Sequence, residues 1–314
     1  MNVLVTGAAG FIGSRLVARL LAAGDSVVAV DDLSLGRLDN LPTHAALRFV
    51  EMDMCRTEFA ALVAEVAPSR VYHLAANSDI SRGTAEPRTD LERTFLTTFS
   101  VLDAMRAAKT PRELVFASTS AIYGEAKGAL REDHGPLAPI SLYGAAKLAS
   151  EAYLSAYCHL HGIKAWVFRF PNVVGPNLTH GAIFDFVQRL ARDRTHLDVL
   201  GNGTQNKPYL DVDDLLDAIG LGVAKNDEQV DTYNVAGDGM TTVREIAEMV
   251  RTGLSLPDAK INYGSENRGW PGDVPTFAYD TSKLRALGWV PQRNSHQAVE
   301  RAIAAEVVRC KPSS

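Results

Sequence analysis

The sequence predicts an α/β fold: a doubly wound parallel sheet with helices on both faces, followed by a smaller C-terminal lobe. Three observations carry this expectation. The chain opens on an apolar run, Val3–Thr6, that leads into glycines at 7, 10 and 13 and then into an amphipathic stretch. Short apolar runs then alternate with helix-like segments as far as about residue 170. From about Gly175 the rhythm loosens, with Gly201-Asn-Gly203 and Arg268-Gly-Trp-Pro-Gly272 interrupting it.

Taken in order, Ile12, Leu16, Val17, Leu20 and Leu21 recur at helical spacing, and Gly24 is placed to end that helix. A strand, a tight glycine turn and a helix N-terminus make a site for a pyrophosphate, because backbone can approach closely and free N–H groups favour negative charge. The next strand, around Val27–Val30, ends in Asp31, 18 residues after Gly13, where a ribose diol is read. An acid there repels a 2′-phosphate, so the pattern points to a Rossmann-type domain that binds NAD in preference to NADP. The loop Asp31-Asp32-Leu33-Ser34-Leu35-Gly36-Arg37 is placed to wrap the adenosine side, with Arg37 near phosphate, and Asp53-Met54 to flank the adenine. Both stretches read equally well as ordinary polar loops.

Further strands are expected at Leu47–Val50, Val71–Leu74, Leu114–Ala117 and Ala165–Phe170, and helices around Glu58–Val66, Leu91–Met105 and Tyr143–His161. The domains fall at 1–174 for the cofactor domain, with later contributions near 209–237, and at 175–208 and 238–314 for a lobe that binds the other substrate. With no repeat and no low-complexity linker, the two are expected to share an interface and enclose a cleft.

Bulk properties narrow the class. The 314 residues are 46% apolar and 22% charged, with a net charge of −5. That is ordinary globular composition without the basic footprint of a nucleic-acid binder. No apolar run approaches the roughly 20 residues of a membrane span, and no leader pattern precedes the first strand. Cys55, Cys158 and Cys310 are scattered without metal spacing. A cytoplasmic, reduced, metal-free protein is expected.

The chemistry concentrates in two stretches. Phe116-Ala-Ser118-Thr119-Ser120-Ala-Ile-Tyr-Gly124 puts hydroxyls at the carboxyl end of an expected strand, the edge where open α/β sheets bind ligands. Tyr143 and Lys147 are i and i+4 on an expected helix and therefore share a face. A neighbouring cation stabilises phenolate and lowers a Tyr pKa from about 10, which makes Tyr143 a candidate general base. Thr119 is placed to hold the reacting alcohol oxygen. On its own, Tyr-x-x-x-Lys reads as well as an exposed helix surface. His73, on a buried strand, reads as a packed core residue, and His180 as a candidate substrate contact.

These residues resemble a family. Gly7-x-x-Gly10-x-x-Gly13, Ser118-Thr119-Ser120 and Tyr143-x-x-x-Lys147 are similar to the extended short-chain dehydrogenase/reductases. Within them they resemble the nucleotide-sugar epimerases and dehydratases, most of all the short UDP-glucose (UDP-galactose) 4-epimerase type. Phe168–Pro176, Thr179–Phe186, Leu200–Tyr209 and Arg268–Asp273 carry the likeness most specifically. The resemblance implies that Thr119, Tyr143 and Lys147 are catalytic. It implies that Phe11 and Ile12 in the glycine turn, Leu74, Ala75, Ala76 and Ser118 line the cofactor, with Pro171 near the nicotinamide. Ser78, Ser120 and Asn172 would meet the sugar nucleotide, and Ile183, Leu200, Gln205, Lys207 and Tyr209 its nucleotide end. Arg268 would take the pyrophosphate and Asp273 a ribose. For Gln205 and Lys207 a solvated turn stays open.

The activity implied is 4-epimerisation of a UDP-hexose through transient oxidation at C4 by tightly bound NAD⁺, with hydride return to the opposite face. A nucleotide-4-keto-sugar reductase is the second reading, a 4,6-dehydratase a lesser one, and a NAD-bound scaffold the weakest, since Tyr143 and Lys147 are both kept. Dehydratases of the family carry Asp and Glu where Ser120 and Ala121 stand, and UDP-glucuronate decarboxylases a Glu where Ala121 stands. Other departures are Thr94 in place of a usual Asn that fixes active-site backbone, the stretch Asn77–Arg82, Pro208 and Asp211. The resemblance also implies a homodimer through a four-helix bundle built from the helices at Leu91–Met105 and Leu148–Tyr157.

Overall fold

Val3, Leu4 and Val5 are buried in strand β1 (Asn2–Thr6), which continues through the glycine turn into helix α1 (Phe11–Ala22). The computed structural model of the chain describes residues 1–310 apart from 109, 226–227 and 271. Beside β1 lie β2 (Ser26–Asp31) and β3 (Leu47–Glu51) on one side, and β4 (Arg70–His73) and β5 (Glu113–Thr119) on the other. These strands pair in parallel, for example Val5 with Ala29 and with Tyr72. Strands Lys164–Phe170 and Val230–Asn234 extend the sheet past β5 to seven. Because chain order reverses between β1–β2 and β1–β4, the carboxyl ends of β1 and β4 frame a topological switch point, where such sheets bind ligands.

Two compact units divide the chain, the first formed by Met1–Ile122, Leu137–Arg169 and Ile219–Tyr233. Its core is the expected apolar set: Leu4, Val28, Val30, Val71, Phe116 and Val167 from the sheet, with Leu62, Leu102 and Leu154 from the helices. Helix α2 spans Glu58–Val66. The helix expected at Leu91–Met105 is built otherwise. A short α3 (Ile80–Ala85) and α4 (Arg88–Asp90) lead into a π-helical turn over Leu91–Leu96, and only then does α5 (Thr97–Ala108) run regularly. Helix α6 (Leu142–His161) starts where the Ser141 hydroxyl accepts the Gly144 N–H at 3.1 Å, and ends on Gly162 at φ +66°.

The second unit takes in Tyr123–Pro136, Phe170–Ala218 and the chain from Asn234. Strand His196–Val199 pairs in parallel with Lys260–Tyr263, and Asn172–Val174 with Tyr209–Asp211. Helices Ala182–Arg192, Val243–Gly253 and Ser295–Cys310 pack on one another, the second opened by a capping box of Thr242 and Glu245. Asp211, one of the departures, is fully buried and accepts Arg301 Nη1 on both oxygens at 2.7 Å. It ties a strand to the last helix. Among the described residues, no helix is long and apolar enough to cross a membrane, and no group of His, Cys, Asp and Glu has metal-site geometry.

Candidate active site

The glycine turn is shaped by what a side chain would strike. Gly7 has φ +66°, and a β-carbon there would meet the Ala75 backbone nitrogen at 2.7 Å. At Gly13 a β-carbon would lie 2.0 Å from the Gly7 carbonyl oxygen. The turn therefore sits flat against the end of β4, with Ala75 buried and Leu74 and Ala76 half-buried beside it. No side chain caps α1 at Gly10, so its first N–H groups are left for an anion. Phe11 is buried and Ile12 half-buried in its first turn.

Asp31 ends β2 as expected. It accepts Ala9 N–H and Leu33 N–H, each at 2.9 Å, and a β-carbon at Gly36 would crowd its Oδ1 at 2.9 Å. Burial pushes its carboxyl up, and those N–H groups oppose the shift. The donor set fits a dinucleotide: a cleared turn, an uncapped helix start and a carboxylate with lone pairs to spare for a diol. The adenosine-side loop is more mixed. Asp32 holds Ser34 and pairs with Arg93 at 2.7 Å. The Arg37 side chain is exposed, with Asp39 at 3.8 Å. Asp53 is exposed and accepts the Cys55 N–H, while Met54 is buried in the core cluster.

The catalytic candidates come together on β5 and α6. Ser118 and Thr119 are buried at the end of β5, and Ser120 begins a tight turn. Gly144 lets α6 approach that turn, since a β-carbon there would lie 2.5 Å from the Ala121 carbonyl oxygen. The half-buried Tyr143 thereby brings its phenol within hydrogen-bonding reach of Thr119. One turn on, Lys147 is 2% exposed, donates to the Ala117 carbonyl at 2.7 Å and lies 4.7 Å from the Phe116 ring centroid.

Here the structure differs from the expected cation effect. Burial, then the charge of Asp90, pushes the Tyr143 phenol above its ordinary value, with the Thr119 hydrogen bond opposing. Burial also pushes the Lys147 ammonium down to about 7, with Glu151 opposing. Desolvation here outweighs the pairing that sequence spacing suggested. A stability profile should register this. Between about pH 7 and the ordinary lysine range near 10 the unfolded chain binds the extra proton, so stability rises with pH. Lys147→Met should therefore be more stable than the native chain near pH 6, by a margin that narrows toward pH 9. Chemical denaturation of cofactor-free protein tests this, and a constant margin would contradict it.

Sequence reasoning missed what stands behind these groups. Glu151 continues the Tyr143–Lys147 face and accepts Ser118 Oγ at 2.5 Å and Arg169 Nη2 at 2.6 Å. An acid at i+8 from Tyr143 was the signal available. Thr94 also gains a role, because its hydroxyl accepts the Asn77 N–H at 3.1 Å. Its carbonyl, in the π-helical turn, accepts Thr97 Oγ1 at 3.0 Å and Thr98 Oγ1 at 2.9 Å. Thr98 reaches His73 Nε2 at 3.0 Å, and His73 Nδ1 lies 2.7 Å from Thr6 Oγ1. Burial, reinforced by Lys147, holds His73 neutral with its pKa pushed down to about 3. His73 is the core residue expected.

In the second unit, Lys207 is ion-paired with the buried Asp273, which also accepts the Gly269 N–H at 3.0 Å. Arg268 donates to Glu125 and, at 3.4 Å, to the Asp273 carbonyl. Gln205 is 2% exposed, not in a solvated turn; its amide donates to the Leu200 carbonyl at 3.3 Å, and its Oε1 has no partner among the described residues. Tyr209 is buried and lies in register with Asn172 on the neighbouring strand. Ile183 and Pro171 are buried, whereas Leu200 and Ser78 are exposed. His180 is exposed, with Nδ1 3.0 Å from Thr179 Oγ1. Pro271 of the Arg268–Asp273 motif lies outside the described residues.

A cleared glycine turn on a doubly wound sheet, with a largely buried Tyr–Lys–Thr group at the same sheet edge, defines a dinucleotide-dependent α/β enzyme. The chain belongs to the NAD-dependent epimerase/dehydratase family, whose pattern matches residues 3–236, and NAD is its cofactor. It is similar to UDP-glucose 4-epimerase of Mycolicibacterium smegmatis, at 33% identity over 93% of this chain and 94% of that one. Among solved structures it resembles Thermus thermophilus UDP-glucose 4-epimerase in complex with NAD, at 30% identity and a TM-score of 0.86 over 98% and 99% of the two chains. It also resembles UDP-N-acetylglucosamine 4-epimerase of Methanobrevibacter ruminantium, at 25% identity and a TM-score of 0.85 over 98% of each chain.

Proposed function

We propose that the chain is a UDP-hexose 4-epimerase that interconverts UDP-glucose and UDP-galactose. The observation that carries this reading is the half-buried Tyr143, its phenol within reach of the buried Thr119 and one helical turn before the buried Lys147. Thr119 orients the C4 hydroxyl of the sugar, and the Tyr143 oxygen takes its proton while the C4–H leaves as hydride. Bound NAD supplies the hydride acceptor and, when oxidised, a positive charge that favours phenolate. The ammonium of Lys147 stabilises the same charge. Rotation of the 4-keto sugar about its pyrophosphate link would offer its other face, and Tyr143 would return the proton as the cofactor supplied the hydride, so no net oxidation would occur. Arg268 and Lys207 suit the diphosphate, and Asp273 a ribose diol once Lys207 turns to phosphate.

Ser120 and Ala121 bring no carboxyl to the turn after Thr119, which speaks against the elimination of a 4,6-dehydratase. The test is incubation of purified protein, without added cofactor, with UDP-glucose, UDP-galactose and their N-acetyl and uronate counterparts. Products are resolved by NMR. Interconversion at C4 supports the epimerase; conversion of a 4-keto sugar that consumes added reduced cofactor would replace it with a reductase.

The same reading extends to assembly as a homodimer through the faces of α5 and α6. Phe95 and Phe99 stack edge-on against Tyr153, at 5.0 and 6.2 Å between centroids. Phe99, Tyr153, Leu91, Leu96 and Leu160 are all exposed, and such an apolar patch fits a second copy of the same face. A Phe99→Glu, Tyr153→Glu variant is expected to halve the mass measured by light scattering. A native chain that is already monomeric at assay concentration would refute the dimer.

A further inference from the structure

Behind the glycine turn runs a chain of buried side chains that no step of the proposed reaction uses. Thr6, His73, Thr94, Thr98 and Ser150 belong to it, and none is open to solvent. Thr6 ends β1 in register with His73 at the end of β4, and the residue after Thr6 is Gly7, whose turn abuts Ala75. The His73 ring stands between two hydroxyls, with Nδ1 2.7 Å from Thr6 Oγ1 and Nε2 3.0 Å from Thr98 Oγ1 on α5. Beyond them the contacts reach backbone. Thr6 Oγ1 accepts the Ala75 N–H at 3.4 Å, and Thr94 Oγ1 accepts the Asn77 N–H at 3.1 Å. Thr98 Oγ1 donates to the Thr94 carbonyl at 2.9 Å. One imidazole therefore links the groups that hold two N–H donors in the stretch after β4.

The chemistry of ring and hydroxyl fixes the direction of these bonds. A hydroxyl has one proton, and a neutral imidazole has one N–H and one acceptor nitrogen. Burial, reinforced by Lys147, keeps the His73 ring neutral. Because the Thr98 proton goes to the Thr94 carbonyl, Thr98 Oγ1 accepts from His73, which puts the ring proton on Nε2. Nδ1 is then the acceptor for the Thr6 hydroxyl, whose lone pairs stay open to the Ala75 N–H. The opposite tautomer would leave the Thr6 proton without an acceptor among the described residues and set two N–H groups on one oxygen. Ser150 is a side branch: its hydroxyl donates to the Ala146 carbonyl at 2.9 Å and lies 3.2 Å from Thr98 Oγ1.

We propose that His73 is a positioning residue for the cofactor: held as the Nε2–H tautomer between Thr6 and Thr98, it locks the end of β4 and the π-helical turn beside the glycine turn, so that the dinucleotide meets a preformed edge. Preorganisation of this kind lowers the ordering cost of binding. The role concerns NAD alone and is independent of which sugar the enzyme turns over. Without the Thr98 hydroxyl the Nε2–H is stranded, and a buried donor without a partner is costly. The ring then gains by moving its proton to Nδ1. In that state it donates to Thr6 Oγ1, competes there with the Ala75 N–H, and loosens the backbone against which the glycine turn rests.

The test uses the NAD-loaded protein and two readouts. NMR of protein labelled with isotopic nitrogen in histidine should show His73, assigned by its loss in His73→Gln, protonated at Nε2 and bare at Nδ1. Release of NAD after dilution should be about tenfold faster in Thr98→Val and native in Thr98→Ser, which restores the hydroxyl. Ser150→Ala loses a buried hydrogen bond off the chain, so it should lower the unfolding midpoint as Thr98→Val does but leave NAD release at the native rate. A ring protonated at Nδ1 overturns the proposal. So does NAD release that is unchanged in Thr98→Val, or that follows stability alone across the three variants.

Discussion

Tyr143→Phe is expected to lower kcat for C4 interconversion by about 10²–10⁴-fold with little change in KM. The substitution removes one oxygen from a half-buried ring. On the proposed reading that oxygen accepts the sugar proton, beside Thr119. Two neighbours are already engaged, Ser118 with Glu151 and Lys147 with the Ala117 carbonyl. A loss of that size corresponds to about 3–5 kcal/mol at 1.36 kcal/mol per tenfold. Stability should be nearly unchanged, because a lost buried hydrogen bond costs only about 1 kcal/mol when both partners are small or rearrange. The bound NAD should also persist, and should still be released on denaturation in amounts equal to native. A variant that keeps a tenth or more of native kcat would remove Tyr143 from the proton transfer.

The second large effect falls on stability. The Arg169 and Glu151 side chains are 8% and 10% exposed, and Arg169 Nε and Nη2 reach Glu151 at 3.0 and 2.6 Å. Removing one partner of such a pair strands the other in a poorly solvated place, at a cost of about 3–5 kcal/mol. Arg169→Ala should therefore unfold at markedly lower urea concentration. The double replacement Glu151→Met, Arg169→Met should recover much of that loss, since a buried ion pair is often no more stabilising than apolar side chains of similar volume. Failure of the double variant to exceed the single one would mean that Ser118 and the strand end depend on the carboxylate itself. In that case Glu151 organises the Ser118–Thr119 strand end and is more than half of an ion pair.

Much of the fold could be read from the chain because its signals are local. Val3–Thr6 and Val27–Val30 announce buried parallel strands, and glycines at 7, 10 and 13 announce the turn. The expected α2 coincides with Glu58–Val66, and α6 begins one residue before Tyr143. Where the pattern failed, the reason is tertiary. A continuous helix was expected from Leu91, but Thr94 is drawn to Asn77 and its carbonyl to two threonine hydroxyls, which opens the turn into a π-helix. No periodicity encodes that exchange of partners.

By itself, then, the sequence determined the doubly wound sheet, the dinucleotide turn, the placing of Tyr143 and Lys147 on one helical face, and membership in a family that the whole-chain likeness bears out. These follow from residue type and spacing along the chain. Only the tertiary structure decided which charges are dry and which neighbours they keep. It put Lys147 on a backbone carbonyl, Lys207 on Asp273, Asp211 on Arg301 and Asp90 on Asn77. Each of those outcomes depends on burial and on partners far away in sequence. Desolvation changes the free energy of a charge by more than a neighbour one turn along can restore.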